Sequence, residues 1–305
     1  MFAALALSRS SSDLAPHFCR GVKIAELPPV ALNLGPSLWD YLRAVGLLLR
    51  DAVRRVDLAV LHVSKPRMEQ LKAGALAMQA TAAGGELGRG TTITTGDVAQ
   101  ALGGLMIHAA NGQPLVPRGA KHQAVLVQMP PAGKLTLGNA THILAVAAQP
   151  EQQLPAGDDY MASLFVLAGL IRTATAEFRS QPEKWVEAVS HLEGMAQANP
   201  LKLLAYLAGR LLPHLSSSTN YIGNCPGHAK LDFGVPGLPT CQQWMVSPMA
   251  TEMVMIRPAP DGLFFLITLP PRQQQVLHAH PLLAALVPDA AWLGDGPELT
   301  DVMVH

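Results

Sequence analysis

The feature that most constrains this chain lies near its C-terminus. "EMVMIR" and "GLFFLITL" flank the turn segment "PAPDG" at residues 258–262, the pattern of a β-hairpin made of two strongly apolar strands. Such a pair needs partners on both faces and both edges, so the rest of the chain must supply more strands and covering layers. "VDLAVLHV" (56–63), "AVLVQ" (124–128) and "THILAVAA" (141–148) read as further strands. Helical periodicity fills the gaps. A helix follows Ser37, which can cap it with Asp40 completing a capping box, and Leu38, Tyr41, Leu42, Val45, Leu48, Leu49, Ala52 and Val53 form one apolar stripe. Ser64 opens a second helix, and another begins near Gly96 with Thr95 as cap and Asp97 in its first turn. "YMASLFVLAGLIRTATAEF", "KWVEAVSHLEGMAQA" and "NPLKLLAYLAGRLL" follow, the last capped by Asn199. Strands mixed with helices and a hairpin predict a layered α/β fold on a mixed sheet.

Composition narrows the function classes. Lys+Arg and Asp+Glu number 22 each and aromatics make up 5%, so nothing here forms the basic, aromatic-interleaved surface that nucleic acids need. Charged residues are 14% against 49% hydrophobic, which predicts generous apolar surface. Cys19, Cys225 and Cys241 form no CxxC pair, and the histidines show no metal spacing such as HExxH. The sequence also holds no G-x-S-x-G elbow and no phosphate-binding P-loop. The sequence "LFVLAGLI" stops at Arg172, short of a membrane span. A cytoplasmic location is expected, with the apolar, Ser-rich "MFAALALSRSSS" leaving an organelle signal as the alternative.

Four stretches, in order, resemble the C-terminal portion of the HXXXD-type (BAHD) acyl-CoA-dependent acyltransferases. "VLHVSKPRMEQLKA" resembles a strand-helix unit ending in Leu71-Lys72, and "TTITTGDVAQALGGLM" a Ser/Thr-rich strand leading through Asp97 into a helix. "VLVQMPPAGKLTLGNAT" is similar to a Pro-rich strand ending at Gly138, Asn139 and Ala140, and "DFGVPGLP" to the signature loop. "STNYIG" echoes a weaker marker before that loop, and the likeness runs over roughly residues 17–285. The chain departs from the pattern where Val235-Pro236 replace the signature Trp, Tyr221 replaces a second Trp, and Gln128 stands in place of an Arg.

The resemblance implies a chloramphenicol-acetyltransferase-like α/β fold, a mixed sheet with flanking helices. Residues 1–55 would be the end of an N-terminal domain with its crossover linker, and 56–305 the C-terminal acyltransferase domain. The implied activity is transfer of an acyl group from acyl-CoA, as co-substrate and with no bound cofactor or metal, to a small alcohol or amine. Lys72, Thr94 and Thr95 are the implied CoA contacts. Asp232, Phe233, Gly234, Gly237 and Pro239 are the structural signature loop. The His-x-x-x-Asp-Gly motif itself is expected upstream of "HFCRGVKIAELPP" (17–29), and the sixteen residues before His17 hold no histidine. His228 and Asp232 do satisfy a bare HxxxD, but about 0.4 such pairs arise by chance in a chain of this composition. Phe233, not glycine, follows Asp232. The pair is read as structural and the catalytic residue is left unassigned. The alternatives are a non-catalytic acyltransferase-like binding protein and a relative of peptide-synthetase condensation domains. A lone C-terminal portion would expose an apolar inter-domain face and self-associate.

Overall fold

The computed structural model describes residues 18–19, 37–53, 57–81, 92–119, 121–128, 135–136, 141–150, 154–180, 199, 201–202, 205, 215–221, 252–259 and 261–293. The expected hairpin is present as β7 (Met253–Ala259) and β8 (Gly262–Leu269), antiparallel with Ile256 opposite Phe265. Gly262 is needed at its turn, because a Cβ there would run into the Val63 carbonyl of the neighbouring strand. That neighbour is β2 (Asp57–Ser64), antiparallel to β8, and β2 also carries the short edge strand β9 (Ala291–Leu293). On the other side of β7 comes β6 (Leu215–Tyr221), then β3 (His122–Gln128), both joined in parallel, and finally β5 (Thr141–Val146), antiparallel to β3. The order across the seven-stranded mixed sheet is β5-β3-β6-β7-β8-β2-β9. A separate two-stranded parallel pair joins β1 (Phe18–Cys19) to β4 (Leu135–Thr136).

Helices cover one face of the sheet. They are α2 (Lys65–Thr81), α3 (Thr95–Ala110), α4 (Tyr160–Ser180), α5 (Pro271–Ala279) and α6 (Pro281–Leu286). The period-2 alternation of a strand sorts β8: Leu263, Phe265, Ile267 and Leu269 join the helices in the main core. Phe264 and Leu266 point the other way, into a small cluster with Val60 and Met255. This two-sided burial is why "GLFFLITL" is apolar throughout. By length and composition α4 could cross a membrane, yet Leu164, Leu167, Ala168 and Ile171 are wholly buried in the core.

The structure corrects or adds to the sequence reading at three points. The first helix, α1 (Leu38–Val53), has its capping box, with Asp40 Oδ2 accepting from Ser37 N at 2.7 Å and Ser37 Oγ at 2.8 Å. Its apolar stripe, however, faces outward: Leu38, Trp39, Leu42, Val45 and Leu49 are exposed, while Asp40 and Ala44 are buried. Helical periodicity identifies a stripe without saying which side the protein takes. Second, the cap of α3 is Thr94 rather than Thr95. Third, strand β6 was not expected at all, because "LSSSTNY" carries none of the apolar pattern that marks a central strand. Asn199 does cap as expected, its Oδ1 accepting from Leu201 N at 2.9 Å.

Candidate functional site

The start of α3 is built by a reciprocal cap. Thr94 has extended backbone angles (φ −101°, ψ 165°), its hydroxyl donates to Asp97 Oδ2 at 2.7 Å, and Asp97 N donates back to Thr94 Oγ1 at 3.3 Å. Thr94 N also donates to Asp97 Oδ2 at 2.8 Å. Burial raises the Asp97 pKa, opposed by the Thr94 hydrogen bonds and by the charges of Arg172 and Arg179. From Asp97 to Ala110 every residue of α3 is buried. Gly104 permits this depth, since a Cβ there would overlap the Gln123 amide. That amide donates 3.0 Å bonds to the Gln100 carbonyl and to Thr219 Oγ1, tying α3, β3 and β6 together.

At the far end of α3 lies His108, fully buried. Its Nδ1–H donates to the Leu115 carbonyl at 2.7 Å. Its Nε2 accepts from the Ser217 hydroxyl at 3.0 Å and lies 2.8 Å from Ser216 Oγ, whose single proton it shares with the His122 carbonyl. Ser216 also reaches the His122 carbonyl at 3.0 Å. Both serines face the ring because the β3–β6 ladder shifts register: His122 pairs with Leu215 but Gln123 with Ser217, leaving Ser216 as the extra residue of a bulge. Burial lowers the His108 pKa to about 4, with the Leu115 carbonyl working in the other direction. The ring is therefore neutral near pH 7 and both nitrogens are occupied. It clamps helix to strand and has no nitrogen left for a substrate proton.

The residues expected to contact CoA lie on neighbouring helices. Lys72 is half-buried on α2, which packs beside α3; Thr94 and Thr95 sit at the first turn of α3, with the Tyr221 ring against Gly96 next to them. Burial raises the Tyr221 pKa. The Thr94 hydroxyl is committed to its cap, so of the three it is the least free to bind a ligand. Asp232, Phe233, Gly234, Gly237 and Pro239, together with His228, lie outside the described residues, as do Gly138, Asn139 and Ala140.

Two groupings were not expected from the sequence. On the sheet face away from the helices, cross-strand register sets His62 (β2), Phe264 (β8) and Arg257 (β7) in one row. The His62 ring is 5.2 Å from that of Phe264, and Arg257 Cζ lies 5.2 Å over the other side of the same residue. His62 Nε2 approaches Asp261 Oδ1 to 3.0 Å, but out of hydrogen-bonding alignment, and Asp261 is 75% exposed in the hairpin turn. Pairing at that exposure is worth little. The signal was available: Asp261 closes the turn of a hairpin whose partner strand carries His62.

The second grouping is an open cleft of about 540 Å³ lined by Asp57, Pro271, Gln274, Gln275, His278 and Ala279. His278 is exposed but stacks on Trp292 with ring centroids 3.9 Å apart. His280 does more than lie on the surface: its Nδ1 accepts from Leu282 N at 3.2 Å and caps α6. Among the described residues no three His, Cys, Asp or Glu side chains are placed to hold a metal ion.

No family model and no curated protein matches this sequence. Solved structures do match. TRI101 of F. graminearum, in complex with coenzyme A and deoxynivalenol, superposes with a TM-score of 0.54 at 15% identity, over 79% of this chain and 50% of that one. The same protein with ethyl coenzyme A gives 0.53 at 14% identity, over 79% and 50% of the two chains. The fold is theirs. TRI101 of F. sporotrichioides, complexed with coenzyme A and T-2, gives 0.50 at 14% identity over 79% and 52%. The chain thus has the mixed-sheet α/β fold with flanking helices that the resemblance implied, and it spans about half the length of these structures.

Proposed function

We propose that this chain belongs to the acyl-CoA-dependent acyltransferases and takes part in moving an acyl group from a CoA thioester to an alcohol or amine. The observation that carries the reading is the agreement of two independent lines. An ordered set of acyltransferase-like stretches runs through residues 17–285, and the backbone takes the fold of structures that hold coenzyme A. In such a transfer the acceptor attacks the thioester carbonyl, the CoA thiolate leaves, and a base takes the acceptor's proton. His108 is not that base, for the geometric reasons above, and the reading assigns the role to no described residue. Lys72 and Thr95 are the CoA contacts that fit it best; Thr94 acts through the cap that fixes Thr95.

The same reading divides the chain into an end of one domain with its linker, 1–55, and an acyltransferase domain, 56–305. It expects association of chains through apolar surface, which the outward stripe of α1 supports.

Thermal-shift titration with acetyl-CoA, followed by a coupled thiol-release assay over a panel of alcohols and amines, tests the proposal. Saturable stabilisation with thiol release supports transfer. Stabilisation without release supports the non-catalytic binding alternative. Neither response at millimolar acetyl-CoA overturns both.

A further inference from the structure

We infer that Arg257 is an anion-binding group, the anchor of a site on the sheet face opposite helices α2–α6 that takes a carboxylate or phosphate group of a small-molecule ligand. Arg257 is 7% exposed, and its only partner among the described residues is the Phe264 ring beneath it. Its Nε is buried with no hydrogen-bond partner. A guanidinium stays charged at any physiological pH, and one whose Nε is buried and unpaired, with no carboxylate partner among the described residues, has donor capacity that an anion can fill. The surroundings sharpen the point. Phe264 fixes the guanidinium from one side, and Val60, Met255 and Leu266 form the apolar cluster in which that ring is set. Asp261, in the hairpin turn beside this row, is drawn to His62 instead.

A planar five-donor fork held on an aromatic face suits the two-oxygen edge of a carboxylate or phosphate. A buried arginine kept for packing alone would be replaced with gain by methionine, as happens when unpaired or costly buried charge is exchanged for apolar volume. The two roles therefore separate experimentally. The inference is independent of acyl transfer, and a negative thiol-release assay leaves it standing.

The test titrates the full-length protein with octanoate, octanamide, inorganic phosphate and coenzyme A, reading thermal stability. Octanoate or the phosphate compounds should raise Tm saturably and octanamide should not. A response to octanoate alone assigns a carboxylate ligand, and a response to phosphate and coenzyme A alone assigns a phosphate. Arg257→Met should unfold at a higher temperature than wild type without ligand and bind the effective anion at least tenfold more weakly. Arg257→Lys should keep part of the response. An anion response undiminished in Arg257→Met, or no response of wild type to any of the three anions, overturns the inference. Should Arg257→Met fail to fold, the Nε–H resonance of Arg257 in 15N-labelled wild type decides. A shift on adding the effective anion supports the site, and an unmoved resonance refutes it.

Discussion

The two faces of the sheet differ in how they treat polar groups. On the helix side a continuous core runs from β2 to β5, and its polar side chains are woven into the packing. His108 uses both ring nitrogens, Asp97 closes a cap, and the Gln123 amide nitrogen bridges two elements, although the amide oxygens of Gln100 and Gln123 remain without partners. On the other side a four-residue apolar cluster adjoins Arg257 and Thr268, whose Nε and Oγ1 are buried and unpaired. Both faces leave some buried polar atoms without partners, Arg172 Nε and Thr175 Oγ1 of α4 included; the helix side differs in joining helix to strand through its polar side chains. Interaction potential in a protein of this kind sits where polar groups are buried but unmatched.

If the helix face is the structural one, the largest losses should come from it. Leu105→Ala, at a wholly buried position, should lower unfolding free energy by about 2–5 kcal/mol in denaturant titration. Gly104→Ala should approach that loss, since displacing Gln123 adds lost hydrogen bonds to overpacking of about 1–3 kcal/mol. An effect of either variant below about 1 kcal/mol would break the comparison. Acid should reveal the clamp next. His108 titrates near 6.5 unfolded but at about 4 folded, so its stabilisation is complete above pH 6.5 and drains away as pH falls towards 4. The loss across that window is about 3 kcal/mol. His108→Gln should flatten most of that slope, with the lowered pKa of His280 leaving a residue in the same direction. Thr94→Ala should cost about 1 kcal/mol, through loss of the cap alone. Smallest is Gly46→Ala on exposed α1, where a new Cβ meets nothing within 4 Å and helix propensity should stabilise by up to about 1 kcal/mol.

Much of the fold could be read from residue order. The hairpin, β2, β3, β5, α3 and α4 each announce themselves through period or cap, because in those elements local preference and tertiary environment agree. β6 was invisible for the opposite reason. Its serines and threonine are suited to the sheet centre only by partners distant in sequence: Ser216 and Ser217 by His108, and Thr219 by Gln123. The stripe of α1 was legible but its direction was not, since orientation depends on what lies beside the helix. The same limit applies to the site. Leu71-Lys72 and the Thr94–Asp97 segment are nominated by the family-like order alone. The row of His62, Phe264 and Arg257 joins three strands by register, and no local window contains it.

The position of β6 has a further consequence. To one side lie β3 and β5, close together in the chain; to the other lie β7 and β8, joined by a tight turn. This strand is the hinge pin that makes these two pieces one sheet, and it is seated by hydroxyl groups rather than by grease. Separation of the molecule should therefore begin along this line, with the amides of Ser217 to Tyr221 exchanging with solvent before those of the hairpin strands.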